Sequence, residues 1–216
     1  MNKEFWLKKW QQGAIDFHKA QPHQLLVEHF SKLKLAQGDT VLLPLCGKTK
    51  DMQWLTAQGM QVLGVELSHI AVQTFFDELN ITPNITTEQH FIKYDYGNIT
   101  ILVGDVFNLQ VHHTQQVKAI YDRAALVALP ATTRQEYARH LNILCSHGKL
   151  LLICFDYEQA AMQGPPFSTP DININQYFSS TFELSMLESQ QLLKGFNGVP
   201  VLEKIWLGVP NNGALC

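Results

Sequence analysis

Two charged residues, Glu66 and Arg123, stand where ligand chemistry needs them. Glu66 closes the apolar run that starts at Gln61 and lies 19 residues after Gly47. That is close to the roughly 20 that separate a glycine turn from the ribose-holding carboxylate of a nucleotide-binding βαβ unit. A carboxylate accepts hydrogen bonds from both hydroxyls of a vicinal diol, so this task requires Asp or Glu. The competing reading is a solvated loop acid. Arg123 sits in Tyr121-Asp122-Arg123-Ala124-Ala125-Leu126-Val127, the one basic residue before an apolar stretch. Its guanidinium suits a cofactor carboxylate or an anionic substrate, and the alternative is an Asp122–Arg123 pair that serves structure alone.

The loop Leu45-Cys46-Gly47-Lys48 bears on which nucleotide Glu66 would hold. A dinucleotide pyrophosphate needs several glycines so that backbone N–H groups approach it, and this loop has one glycine and a bulky leucine. S-adenosylmethionine is a nucleoside without phosphate and needs no such cradle. Glu66 by itself would serve an NAD ribose equally well, which keeps an NAD-dependent oxidoreductase as one alternative and a catalytically idle S-adenosylmethionine-binding protein as another. In Gly104-Asp105-Val106-Phe107, Asp105 is placed to accept from the exocyclic amine of adenine, with Val106 and Phe107 packing on the ring; an Asp in a loop also forms turns. Two aromatic and proline segments, one with Trp6, Trp10 and Phe17, the other with Pro165, Pro166 and Phe167, suit an apolar lid, although aromatics also fill cores. Asp16 and His18 are the polar groups beside Phe17 able to take a proton. His112 and His113 read as exposed loop residues on opposite sides of an extended chain, so no metal is expected.

These residues need a scaffold. Apolar periodicity and turn residues predict an amphipathic start from Phe5 to Gln12, a helix from Gln24 to Lys34, and a strand from Thr40 to Leu45. A Thr49-capped helix to Gln58, a strand from Gln61 to Val65 and a Ser68-capped helix follow. After Pro83, two extended runs flank a Tyr96-Gly97-Asn98 turn. Further strands are predicted at Val117 to Tyr121 and Lys149 to Phe155, with helices from Thr133 to Leu144 and Ile172 to Phe178. The last extended runs, Phe182 to Leu187 and Val199 to Gly208, have no helix between them and should pair antiparallel. The order predicts an open α/β sheet, mostly parallel, with helices on both faces and an antiparallel C-terminal hairpin.

Composition narrows the partners. A chain of 216 residues, 46% hydrophobic, fits a single domain. A net charge of -3 without a basic tract argues against nucleic acid. Apolar runs of about six residues fall far short of the roughly 20 that span a bilayer. The first residues, MNKEFWLKKWQQG, lack the unbroken apolar core of a signal peptide, and the four cysteines contain no C-x-x-C pair, so a cytoplasmic protein with reduced thiols is expected. Its length and low net charge are compatible with a monomer.

The strings FWLKKWQQGAIDFH, PLCGK followed by Asp51-Met52, GVELS, YDRAALVALP and GPPFSTP, in this order from Phe5 to about Trp206, resemble the thiopurine S-methyltransferase family, bacterial type. The resemblance implies a Rossmann-like class I methyltransferase fold with a seven-stranded sheet in one domain over residues 1–216, residues 1–35 forming a helical lid. It implies methyl transfer from S-adenosylmethionine to the sulfur of aromatic and heterocyclic thiols, thiopurines among them, leaving S-adenosylhomocysteine, with selenium and tellurium compounds as further acceptors. By motif, Trp10, Leu45, Glu66 and Arg123 contact the cofactor, Asp105 and Val106 lie near adenine, and Phe17 lies at the substrate pocket; beside these, Gly47 is expected to line the cofactor with Leu45, and Trp6, Pro166 and Phe167 to face the substrate as lid residues. Mammalian members carry Ser-Ile where this chain has Asp105-Val106, and no arginine follows Arg139 to act on the substrate side late in the chain.

Overall fold

The computed structural model describes residues 3–15 and 17–211; Asp16 and Cys216 lie outside the described residues. The described residues divide into two compact units, one up to Phe30 with Lys34–Val117, the other Ser31–Leu33 with Lys118 onward.

The first unit runs α1 (Lys3–Gln11), α2 (Gln24–His29), β1 (Thr40–Pro44), α3 (Asp51–Ala57), β2 (Gln61–Glu66) and α4 (His69–Glu78). It continues with β3 (Asn84–Glu88), β4 (Phe91–Tyr96), β5 (Ile99–Val103) and α5 (Val111–Thr114). Its strands lie in the order β3-β4-β5-β2-β1. β1 and β2 are parallel with Pro44 opposite Val65, and β2 and β5 are parallel with Glu66 opposite Val103. The C-terminal ends of three strands therefore finish side by side, and the loops after Pro44, Glu66 and Val103 leave from one edge. Apolar runs such as Val41-Leu42-Leu43 and Ile101-Leu102-Val103 are buried, as befits central parallel strands covered on both faces.

The second unit, from Lys118 within β6 (Val117–Arg123), holds α6 (Ala131–Leu144), β7 (Lys149–Asp156), α7 (Asp171–Phe178), β8 (Phe182–Gln191) and β9 (Leu202–Pro210). Its order is β6-β7-β9-β8, with β6 and β7 parallel and the terminal pair antiparallel, as the missing connector helix predicts. No helix among the described residues is long and apolar enough to cross a membrane.

Among the described residues nine strands form where seven were expected, and the two additional ones are the β3–β4 hairpin. β3, Asn-Ile-Thr-Thr-Glu, is exposed at every position, so it has no buried face to mark it in the sequence. Other departures are local. The helix expected to reach Lys34 ends at His29, tightens into a 3-10 turn over Phe30–Leu33, and leaves Lys34 at φ 48°. α3 is preceded by Lys50, and the Thr49 hydroxyl instead accepts from the Asp51 N–H at 3.3 Å. Ser68 caps α4 as expected, accepting from the Ala71 N–H at 3.3 Å. The pair His112 and His113 is helical rather than extended. Their rings lie 3.8 Å apart, and His113 Nδ1 accepts from the Gln110 N–H at 2.9 Å to cap the turn.

Candidate active site

In the first unit the site grows from the β1 and β2 ends. β1 stops at Pro44, and Leu45 takes φ 50°, a left-handed conformation that costs a branched side chain about 1–2 kcal/mol. The turn then brings the Cys46 N–H to the Val65 carbonyl at 3.0 Å and the Gly47 N–H to Glu66 Oε2 at 2.7 Å. The other oxygen, Oε1, accepts from the Ser68 N–H at 2.7 Å. Glu66 is buried, and burial pushes its carboxyl above the ordinary value while the N–H groups of Ser68, Gly47 and Leu67 pull it back. Each oxygen accepts one short main-chain bond, and a carboxylate has about four acceptor sites, so capacity remains for further donors. Oxygens fixed by main-chain donors with acceptor capacity left over suit a vicinal diol.

Gly47 has a different reason to be glycine than a phosphate cradle. Its φ is +53°, and a Cβ there would stand 3.0 Å from Trp10 Cζ2 and 3.4 Å from Cη2. Trp10 of α1, 8% exposed, therefore lies directly on the glycine whose N–H holds Glu66. Trp6 and Trp10 both make edge-to-face contacts with Phe17, at 5.7 and 5.6 Å between ring centroids. The structure thus joins Trp6, Phe17, Trp10, Gly47 and Glu66 in one contiguous chain, with Trp6, Phe17 and Leu45 half-buried.

Asp105, placed just beyond β5, is already engaged. Its carboxylate pairs with Lys3 of α1 at 2.5 Å and accepts from the Phe107 N–H at 3.1 Å, while Val106 is buried beneath. An adenine amine would share Asp105 with Lys3. The thiol of Cys46, buried behind the loop, is raised by burial first and by Glu66 second.

In the second unit, Arg123 is the last residue of β6 and is half-buried, and Ala124 after it adopts φ 61°. Asp122 spends its oxygens elsewhere: Oδ1 accepts from the Leu126 N–H at 3.1 Å and Oδ2 from the Tyr137 hydroxyl at 2.7 Å. The segment with Pro166 and Phe167 is built as a fixed wall. The Phe167 N–H donates to the Val127 carbonyl at 2.6 Å, the Tyr157 hydroxyl to the Pro166 carbonyl at 2.6 Å, and Arg134 Nη1 to the Ser168 carbonyl at 2.6 Å. Gly164, at φ +75°, leaves room for the Phe167 ring, whose Cδ1 would lie 2.6 Å from a Cβ there.

The family model for thiopurine S-methyltransferase (TPMT) matches residues 1–203. The chain belongs to the thiopurine S-methyltransferase family. A relative named thiopurine S-methyltransferase from Pseudomonas aeruginosa (strain LESB58) is 44% identical over 194 residues, 89% of each chain. One from Teredinibacter turnerae is 42% identical over 207 residues, 95% of this chain and 96% of that one. Solved structures are similar in fold at much lower identity. The Burkholderia thailandensis 1,6-didemethyltoxoflavin-N1-methyltransferase, with bound 1,6-didemethyltoxoflavin and S-adenosylhomocysteine, has a TM-score of 0.64 at 12% identity, covering 96% of this chain and 87% of that one. A SAM-dependent methyltransferase from Anabaena variabilis has a TM-score of 0.61 at 14% identity, covering 96% and 94%. The fold is the class I methyltransferase fold.

Within this thiopurine S-methyltransferase family member, sequence reasoning passed over Tyr137 and Arg134. Both lie on the buried stripe of α6 with Ala138 and Leu141, and an arginine on such a stripe was the available signal. Arg134 is 6% exposed, its guanidinium lies 5.8 Å from the Phe167 ring, and its Nε finds no hydrogen-bond partner.

Proposed function

We propose that the chain is a single-domain methyltransferase that transfers the methyl group of S-adenosylmethionine to the sulfur of an aromatic or heterocyclic thiol, thiopurines included. The observation that carries this reading is the buried Glu66 carboxylate, held open toward a diol by the Gly47 and Ser68 N–H groups in a chain of this family. No feature of the loop after β1 favours NAD, because its single glycine serves Trp10 rather than a pyrophosphate.

In this reading Glu66 takes the ribose hydroxyls, Trp10, Leu45 and Gly47 line the cofactor, and Asp105 and Val106 flank its adenine. Arg123 holds the cofactor carboxylate or the anionic acceptor. Trp6, Phe17, Pro166 and Phe167 form apolar walls on the acceptor side. The bound donor supplies a methyl group on a sulfonium centre, and the protein does the rest by placement. Positive and negative charge cancel as a thiolate meets a sulfonium, so aromatic walls that exclude water favour the transition state over the solvated thiolate. Alignment of the two sulfurs is the larger contribution. Arg123 stabilises the thiolate form of the acceptor, which heterocyclic thiols reach near neutral pH without a strong base. Selenols and tellurium oxyanions, which also offer a soft lone pair, fall within the same reading. We also read the chain as a cytoplasmic monomer acting on small molecules rather than nucleic acid or membranes; the buried free thiols Cys46, Cys145 and Cys154 suit a reducing compartment.

Calorimetry with S-adenosylhomocysteine, followed by a methylation assay on a panel of thiols, selenols and tellurite, tests this. Binding together with S-methylation of a mercaptopurine is expected, and the absence of both rejects the proposal.

A further inference from the structure

We infer that Asp122 is a positioning residue for Arg123: its buried carboxylate, braced by Tyr137, sets the turn from which Arg123 reaches its anion. The inference rests on the proposed role of Arg123 in holding that anion.

β6 stays in register with β7 through Arg123, which lies opposite Ile153, and then breaks off. Ala124 is left-handed at φ 61°, and the chain tightens into a 3-10 turn over Leu126–Ala128. A left-handed alanine persists only where its surroundings overdetermine it. The Asp122 side chain supplies that constraint. The bond from the Leu126 N–H to Oδ1 spans Arg123, Ala124 and Ala125 and closes them into a ring of side chain and backbone. The bond from Tyr137 to Oδ2 ties the same carboxylate to α6. With both oxygens engaged and no exposed surface, Asp122 touches no ligand.

Its burial is costly, which makes a purely packing role a poor explanation. Desolvation raises the Asp122 carboxyl to about 6, so it remains ionised at neutral pH inside the core. The titratable groups that face it are Tyr137 from α6 and Cys154 from β7, both raised by burial and neither able to neutralise it. Apolar residues of matching shape commonly replace buried charges without loss of stability. Asp122 instead couples the direction of Arg123 to the position of α6.

The test is a double-mutant cycle on the full chain, with kcat and KM for a mercaptopurine, S-adenosylhomocysteine affinity by calorimetry, and thermal unfolding. Arg123→Ala is expected to cost at least about 100-fold in kcat/KM. Asp122→Asn keeps an acceptor for the Leu126 N–H and should unfold no lower than the parent, yet lose about 10-fold in kcat/KM, with Tyr137→Phe losing less in the same direction. In the Arg123→Ala background, Asp122→Asn should cause no further loss, because it acts through the missing side chain. An equal loss in both backgrounds, or full activity of both Asp122→Asn and Tyr137→Phe beside an impaired Arg123→Ala, overturns the inference alone. Full turnover of Arg123→Ala overturns the role of Arg123 and this inference with it.

Discussion

Glu66 and Asp122 are both buried carboxylates at the C-terminal ends of parallel strands, yet their oxygens are engaged differently. Glu66 gives each oxygen to one backbone N–H across two loops, Gly47 on one side and Ser68 on the other, and retains 6% of its surface. Asp122 gives its oxygens to one backbone N–H and one tyrosine hydroxyl and retains none. In the proposed reading the first arrangement, which keeps acceptor capacity, recognises a ligand, and the second, which closes on itself, braces a turn. Topological position alone places a carboxylate at the working edge of such a sheet; what surrounds its oxygens decides whether a ligand meets it.

The sharpest break between the two carboxylates comes from Glu66→Ala, which should have the largest effect. Losing two hydrogen bonds from a charged acceptor should cost about 4 kcal/mol, close to 1,000-fold in S-adenosylhomocysteine affinity measured by calorimetry. Equal affinity in the variant would remove Glu66 from the recognising role.

Asp122→Asn probes the bracing side through stability. Its carboxyl rises on folding from 3.8 to about 6, so the folded chain holds a proton across that window that the unfolded chain has released. The stability Asp122 lends is fully present below 3.8 and is lost as pH rises through about 6. At neutral pH the Asn variant should therefore gain up to about 3 kcal/mol over the parent, and the difference should close by about pH 4, as urea unfolding across pH will show.

Gly47→Ala should cost about 2 kcal/mol, through the strain of φ +53° and the contact with Trp10, and lower the melting temperature by roughly 4–8 °C. Arg134→Lys should have the smallest effect. It forfeits the guanidinium plane over Phe167 and weakens the bond to Ser168, so KM for the thiol should rise about 5-fold, roughly 1 kcal/mol, with S-adenosylhomocysteine affinity unchanged. A loss of cofactor affinity instead would place Arg134 on the recognising side.

Much of the fold was legible in the chain. The apolar runs of β1, β2 and β5 are bounded by turn residues, with Ser68 capping the helix after β2, so their order and the place of Glu66 followed from local rules. β3 was not legible, because an edge strand exposed on both faces carries no periodic signal. The helical pairing of His112 and His113 was missed because a single turn closed by a histidine cap has too few residues to show a period. Tyr137 and Arg134 were readable as members of an α6 stripe but not as partners of Asp122 and Ser168, which lie 15 and 34 residues away.

The amino-acid sequence by itself determined the element order, the antiparallel finish and the residue types at the strand ends, since periodicity, caps and turns act over a few residues. Tertiary structure alone decided that the one glycine of the loop packs under Trp10, how the two oxygens of Glu66 are held, and that Asp122 faces Tyr137. Those outcomes depend on hydrogen-bond geometry and burial between segments distant in the chain, and no local rule contains them.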